Sequence, residues 1–292
     1  MSKLSKKVIV ITGGSTGIGL ACAEECLKQG ASVVISSRSH KNLKSAFDHL
    51  RSISTSVTAI MANVTSIRDV FGIFNETIDK FGRVDGVIHS AGIYGPIGPV
   101  IDIDPHEWMK AIETNLYGTF LVAREAADAM RTSCRAIPSF EGGSIVLMSG
   151  GGAASPFPNY TAYACGKIGV VRLAETMAIE LKPHNIRVNA VAPGFVATKI
   201  HEQTLNTDES LVGKEFMEMT KKRLAEGGVP PEVAARTCAF LLSDESRGIT
   251  GKFVAAPYDN WKDWPNHIDT IKSSDVFTLR RIVPKDRGED WQ

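Results

Sequence analysis

Seven short runs of apolar, β-branched residues punctuate the chain, and segments of helical periodicity lie between them. The runs are KVIVIT at 7–12, ASVVIS at 31–36, SVTAIMA at 56–62, VDGVIHS at 84–90, GSIVLMS at 143–149, IRVNAVA at 186–192 and KFVAA at 252–256. Strands that are apolar on both faces must be covered on both faces, and parallel neighbours need a long crossover between them. Helices meet both needs at once, with right-handed crossovers. The pattern predicts an α/β fold, a doubly wound parallel sheet of about seven strands in three layers. Ligands of such sheets bind beyond the carboxyl ends of the strands, so function is to be sought in the loops that follow them.

Composition narrows what those loops could do. A chain of 292 residues that is 43% hydrophobic can bury a full core, and its length is near the upper range of one α/β domain. We read residues 1–256 as that domain and 257–292, rich in Trp, Pro and charge, as an extension packed on the domain or on a subunit interface. Charged residues are 22% of the total and cancel to a net +1, which offers no basic field for nucleic acid and no acidic block that would favour disorder. Five cysteines, Cys22, Cys26, Cys134, Cys165 and Cys238, show no paired framework, and no histidine spacing suggests a metal. Nor is there an apolar run of the length a membrane helix needs. The expectation is a cytoplasmic protein, without metal, membrane or nucleic-acid partners, that acts on a small molecule.

After the first strand comes TGGSTGIG, residues 12–19, which opens directly into a helical pattern. Gly13, Gly17 and Gly19 permit a tight turn and close approach of backbone N–H groups to a pyrophosphate, and the helix terminus adds partial positive charge. An acid about twenty residues on normally holds the ribose hydroxyls of NAD. Here that place reads VVISSRSH. Arg38, with Ser36 and Ser37 beside it, can instead pair with a 2′-phosphate, so NADP(H) is the expected cofactor and NAD(H) the alternative.

The segment NYTAYACGKIGVV places Tyr163 and Lys167 four residues apart on a predicted helix from about Thr161. They share one face, whereas Tyr160 lies seven residues from the lysine. An ammonium near a phenol favours the phenolate and lowers its pKa, which makes Tyr163 the better acid–base candidate.

The chain resembles the short-chain dehydrogenases/reductases of the single-domain type. The resemblance rests on T-G-x-x-x-G-x-G at 12–19, NV at 63–64, SAG at 90–92, TNLYGTF at 114–120, Tyr163 with Lys167, and APGFVAT at 192–198. It implies a Rossmann-type fold and hydride transfer between a carbonyl or alcohol and a nicotinamide cofactor. By that likeness Tyr163 passes the proton, Lys167 holds the nicotinamide ribose and Asn115 helps hold a relay water. The cofactor would lie on Gly13, Ser15, Thr16, Gly17, Ile18 and Gly19, on Ser37 and Arg38, on Asn63 and Val64 at the adenine, and on Ser90, Ala91 and Gly92. Pro193, Gly194, Val196 and Thr198 would seat the nicotinamide and pyrophosphate. A homodimer or homotetramer is the implied assembly.

Three departures qualify the likeness. The family's serine, thirteen residues before the tyrosine, falls on Gly150, and we expect the following glycines to let Ser149 supply the hydroxyl instead. HSAG stands where two asparagines are more usual, with His89 expected to pack behind the sheet. The polar stretch 199–229 reads as a weakly helical flap over the pocket, and the tail beyond Pro257 has no usual counterpart. Two other functions remain open: an idle NADPH-binding regulatory protein, and an epimerase or lyase using transient hydride transfer.

Overall fold

The structure is a computed structural model and describes residues 2–291. Its seven strands are β1 (Val8–Thr12), β2 (Ser32–Ser37), β3 (Val57–Met61), β4 (Gly86–His89), β5 (Ser144–Met148), β6 (Arg187–Ala192) and β7 (Phe253–Ala255). They form one all-parallel sheet in the order β3-β2-β1-β4-β5-β6-β7. Every residue of β1 and β5 is buried, as strands covered on both faces require. The order reverses between β1 and β4, which opens the crevice where ligands of such sheets bind.

On one face lie α1 (Gly17–Lys28), α2 (His40–Ile53) and α10 (Pro231–Leu242), and on the other α3 (Ile67–Phe81), α5 (Gly118–Ala136) and α6 (Thr161–Glu180). Local chemistry sets their limits. Ser66 accepts from the Asp69 amide to start α3, and Gly82 at φ 77° ends it, a pairing of polar N-cap and left-handed C-cap. Between α4 (Pro105–Ile112) and α5 the helix widens into a π turn, Glu113–Tyr117, that carries Asn115. Such bulges are frequent at functional sites. Cys22, Cys26 and Cys238 are buried where α1 meets α10.

The stretch 199–229 is more ordered than its sequence suggests: it forms α7 (Ile200–Leu205), α8 (Glu209–Val212) and α9 (Lys214–Ala225). Its two ends are tied by a bridge between Val196 and Gly228, and the Val229 amide donates to Phe195 O at 2.7 Å. Beyond β7, the extension packs on its own chain. Trp261, Trp264 and Ile271, the last in α11 (Ile268–Ser273), join the core around α1 and α10. The Phe253 amide donates to Phe277 O at 2.7 Å, and Lys252 Nζ donates to Ser274 O and Val276 O, each at 3.0 Å. This covers the outer edge of β7, which would otherwise present unpaired backbone groups.

Candidate active site

A groove of about 1620 Å³ runs along the carboxyl ends of the strands from Arg38 to the flap. Small-ligand sites usually enclose about 300–1,000 Å³, so this one has room for a dinucleotide and a second molecule. Gly13, Ser15, Thr16, Gly17 and Ile18 line it, as do Ser37, Arg38, Val64, Ser90, Ala91, Gly92, Pro193, Gly194, Val196 and Thr198. Gly19, Asn63 and Asn115 do not. Gly19 instead packs against the Gly13 carbonyl, where a side chain would collide.

The phosphate-loop geometry fits the group it was read to hold. Gly13 has φ +69°, and a Cβ there would lie 2.7 Å from the Ala91 nitrogen; both facts demand glycine. Gly17, at φ +55°, lies under the flap, where an added Cβ would be 3.0 Å from the Thr198 methyl. At the end of β2 the Ser15 hydroxyl donates to Ser37 Oγ at 2.9 Å, the buried Ser36 hydroxyl has no partner among the described residues, and Arg38 is exposed where it lines the groove. Hydroxyls and a guanidinium stand where an acid would hold ribose, a donor set suited to an anion. Asn63 is turned into its own loop, its Oδ1 accepting from the Thr65 amide at 3.2 Å.

Tyr163 and Lys167 occupy one face of α6, both buried, with the ammonium 5.4 Å from the centre of the phenol ring. Lys167 Nζ donates to Met148 O at 2.9 Å, at the end of β5. Asn115 clasps the β4 loop from the π turn: Nδ2 donates to Ile93 O at 2.8 Å and Oδ1 accepts from the Ile93 amide at 3.0 Å. A Cβ on Gly92 would sit 3.0 Å from Asn115 Oδ1 and 3.4 Å from Lys167 Nζ. The bare Gly92 thus lies between the amide and the amine.

Two expectations about the centre need correction. The phenol is not acidified by its neighbour: burial raises the Tyr163 pKa above its ordinary value, and burial also lowers Lys167 to about 8. Desolvation disfavours the charged form of each group, and at this separation the ammonium does not offset it. Ser149, although it lines the groove, has its hydroxyl bonded not to the phenol but to Lys167 O, to which it donates at 3.0 Å. The residue facing the phenol is Gly150, where an added Cβ would lie 2.5 Å from Tyr163 Oη.

Around the phenol stands an aromatic wall that only the folded chain reveals. Tyr94 sits edge-on to Tyr163 at 4.8 Å between centroids and to Tyr160 at 5.2 Å, while Phe157 stacks on Tyr160 at 4.4 Å. The flap is latched to this wall. Tyr94 Oη bonds His201 Nδ1 at 3.0 Å, and Tyr160 Oη bonds Thr204 Oγ1 at 2.8 Å. Tyr160 is therefore part of the wall, and His201 lies 107 residues from its partner, a pairing no local signal announces. His89, 1% exposed, bonds Thr12 Oγ1 through Nδ1 at 2.7 Å, and its Nε2 has no partner among the described residues. Burial and the nearby Lys167 charge push its pKa down to about 3.

The chain is similar to known proteins over most of its length. Residues 13–256 match the family described as Enoyl-(Acyl carrier protein) reductase. A "Dehydrogenase/reductase SDR family member 4" from Caenorhabditis elegans is 32% identical over 85% of this chain and 92% of its own length. The chain belongs to the short-chain dehydrogenase/reductase family. Its fold is likewise that of solved members. Levodione reductase superimposes with a TM-score of 0.76 at 26% identity, covering 86% of this chain and 96% of that one. An actinorhodin polyketide ketoreductase, solved with NADPH, gives 0.74 at 25% identity over 85% of this chain and 94% of its own. In this chain the tyrosine and lysine stand four residues apart, at 163 and 167, and position 150 is a glycine.

Proposed function

We propose that this chain is an NADP(H)-dependent oxidoreductase that interconverts a carbonyl and an alcohol. The observation that carries the reading is the buried Tyr163 with Lys167 at one end of a groove whose other end is the glycine loop and Arg38. When bound, the nicotinamide cofactor supplies or accepts the hydride. Tyr163 gives its phenol proton to the developing alkoxide in reduction and recovers one in oxidation. Lys167, held on Met148 O, fixes the cofactor's ribose and adds positive charge beside the phenol. Asn115 holds the Ile93 backbone and with it the floor of the site. Tyr94, Phe157 and the flap exclude water, which strengthens each of these interactions.

For the phosphorylated cofactor, the support is Arg38 with Ser36 and Ser37 at the end of β2 and Ser15 of the glycine loop beside them, and the NADPH of the related ketoreductase is in keeping with it. The reading extends to a cytoplasmic homodimer or homotetramer. Met109, Tyr117, Phe120 and Ile168 are exposed on the adjoining α4, π turn, α5 and α6, an apolar surface suited to a second copy. No helix among the described residues is long and apolar enough to cross a membrane.

Absorbance at 340 nm against a panel of ketones and aldehydes tests the activity, with Arg38→Asp as the cofactor arm. Turnover with NADPH is expected, and the variant should lose at least about tenfold in kcat/KM for NADPH relative to NADH, the loss of a bidentate contact of about 1.4 kcal/mol or more at 1.36 kcal/mol per decade. Cofactor binding with no turnover of any carbonyl would favour the second reading, an idle regulatory protein. Gly150 is the feature that gives that reading weight, because it removes the usual second hydroxyl from the centre.

A further inference from the structure

The family serine supplies a second hydrogen-bond donor beside the phenol, and here neither position that could carry it does so. Gly150 has no side chain, and the Ser149 hydroxyl is spent on Lys167 O. What stands beside the Tyr163 hydroxyl is backbone. Ser149 donates its own amide to Val191 O at 2.8 Å, and the Ala153 amide donates to Gly150 O at 3.3 Å. The amides of Gly150, Gly151 and Gly152, by contrast, have no acceptor among the described residues, and all three glycines line the groove.

The bond from Ala153 to Gly150 closes a four-residue turn. Gly152 has φ +83° and Gly151 lies outside the positive region, the φ pattern of a type II turn, and the bond from Ala153 to Gly150 leaves the two central amides free. It is also fixed in place, because Gly152 packs so closely on α6 that a Cβ would come within 2.7 Å of the Ala164 methyl. Against Gly150 lies the Tyr163 hydroxyl, on a side chain 8% exposed and with no hydrogen-bond partner among the described residues. The phenol oxygen thus lies against Gly150, the first residue of a turn whose two central amides are free, and all of these residues line one groove.

We infer that the Gly150–Gly152 turn is a backbone oxyanion hole: the Gly151 amide donates to the substrate oxygen beside Tyr163 and takes the place of the missing serine hydroxyl. This rests on the carbonyl–alcohol reading above. The chemistry needs only a donor, preorganised where negative charge develops, and a main-chain N–H is as competent as a hydroxyl. It costs no side-chain ordering, since the turn is already fixed. Glycine at 150 is then required, because a side chain there would fill the space that the substrate oxygen, the phenol and the amide must share.

Because proline is favoured at this position of a type II turn, Gly151→Pro removes the donor while suiting the backbone. Gly151→Ala adds similar bulk and keeps the N–H; its Cβ would meet Phe157 at an ordinary 3.7 Å. With NADPH and the best carbonyl of the panel, kcat of the proline variant is expected to lie about 100-fold below that of the alanine variant, the scale of one oxyanion donor, with the cofactor Kd the same in both. Equal kcat in the two variants overturns the inference while leaving the wild-type activity, and so the reading beneath it, intact. A second measurement does not depend on folding of a variant or on turnover. In ¹⁵N-glycine-labelled wild-type protein loaded with NADP⁺ and titrated with acetophenone, the Gly151 amide proton should move downfield while those of Gly72 within α3 and Gly82 at its end, neither of which lines the groove, do not. A Gly151 signal that stays in place at millimolar acetophenone overturns it as well.

Discussion

Replacing Gly150 by alanine puts a methyl group where the phenol oxygen now sits. An ideal Cβ at this position is 2.5 Å from Tyr163 Oη, and real Cβ atoms keep at least 3.0 Å from a neighbour. Either the hydroxyl or the turn must therefore give by 0.5 Å at least, and by about 1 Å to reach ordinary contact. Retreat is obstructed. Tyr94 stands edge-on at 4.8 Å, Phe157 at 6.2 Å, and Lys167 lies over the ring. A displacement of about 1 Å in a reacting group can cost about 100-fold in rate, which is about 2.7 kcal/mol at 1.36 kcal/mol per decade. Global stability should fall by no more than about 2.6 kcal/mol, because the entropy gain of Gly→Ala, about 0.4–1 kcal/mol, opposes an overpacking cost of about 1–3 kcal/mol. Steady-state kcat with NADPH, the cofactor Kd by fluorescence titration, and the urea midpoint separate these effects. A kcat 30–100-fold down with an unchanged cofactor Kd is expected. If kcat stays within about threefold of wild type, the phenol is not held against Gly150 and the account of the centre fails.

Ser149→Ala removes a hydroxyl that donates to Lys167 O, so it should cost about 0.5–1.5 kcal/mol of stability and less than about fivefold in kcat; a loss near 100-fold would return Ser149 to the donor role. His89, held at a pKa of about 3 in the fold against about 6.5 unfolded, lets the unfolded chain bind the proton first. Stability should therefore fall as pH drops below about 6.5, by about 2 kcal/mol at pH 5, and His89→Asn should remove that dependence; identical acid-unfolding profiles would contradict it. Trp264, 4% exposed and 4.5 Å from the Phe277 ring, should cost about 3–5 kcal/mol on replacement by alanine. An unshifted urea midpoint would mean that the extension does not share the core.

The strands were legible because of what buries them. KVIVIT and GSIVLMS are unbroken apolar runs since both faces of β1 and β5 are covered, and the structure trims each by only a residue or two. The glycine loop and the Tyr163–Lys167 pair were legible for a different reason: each is a local spacing whose consequence, a tight turn or a shared helix face, is fixed by backbone geometry. What escaped depends on contacts between distant segments. Nothing near His201 announces Tyr94, and the short helices of the flap gain their order from packing on the aromatic wall, not from propensity. The Ser149 expectation failed on a matter of register. At the end of a strand successive side chains face opposite ways, so one step in sequence exchanged a hydroxyl aimed at the phenol for one aimed at the Lys167 carbonyl.

The pKa shifts bear on which direction the centre favours. Spacing alone suggested an acidified phenol, but burial raises Tyr163 and lowers Lys167 to about 8, so each is driven toward its neutral form. A phenol that keeps its proton across the neutral range is the state from which carbonyl reduction starts, since the developing alkoxide needs a donor; alcohol oxidation needs that proton gone. Lys167 then limits the reaction on the alkaline side. With a pKa near 8 its ammonium is present at neutrality and lost above, and the positive charge beside the phenol goes with it. For reduction, kcat/KM should therefore be level below about pH 8 and fall toward tenfold per pH unit above it. Lys167→Arg, whose guanidinium stays charged, should have a lower plateau without that limb. If the arginine variant falls at the same pH as wild type, the titrating group is not Lys167, and the polarity of the centre is set by something other than its burial.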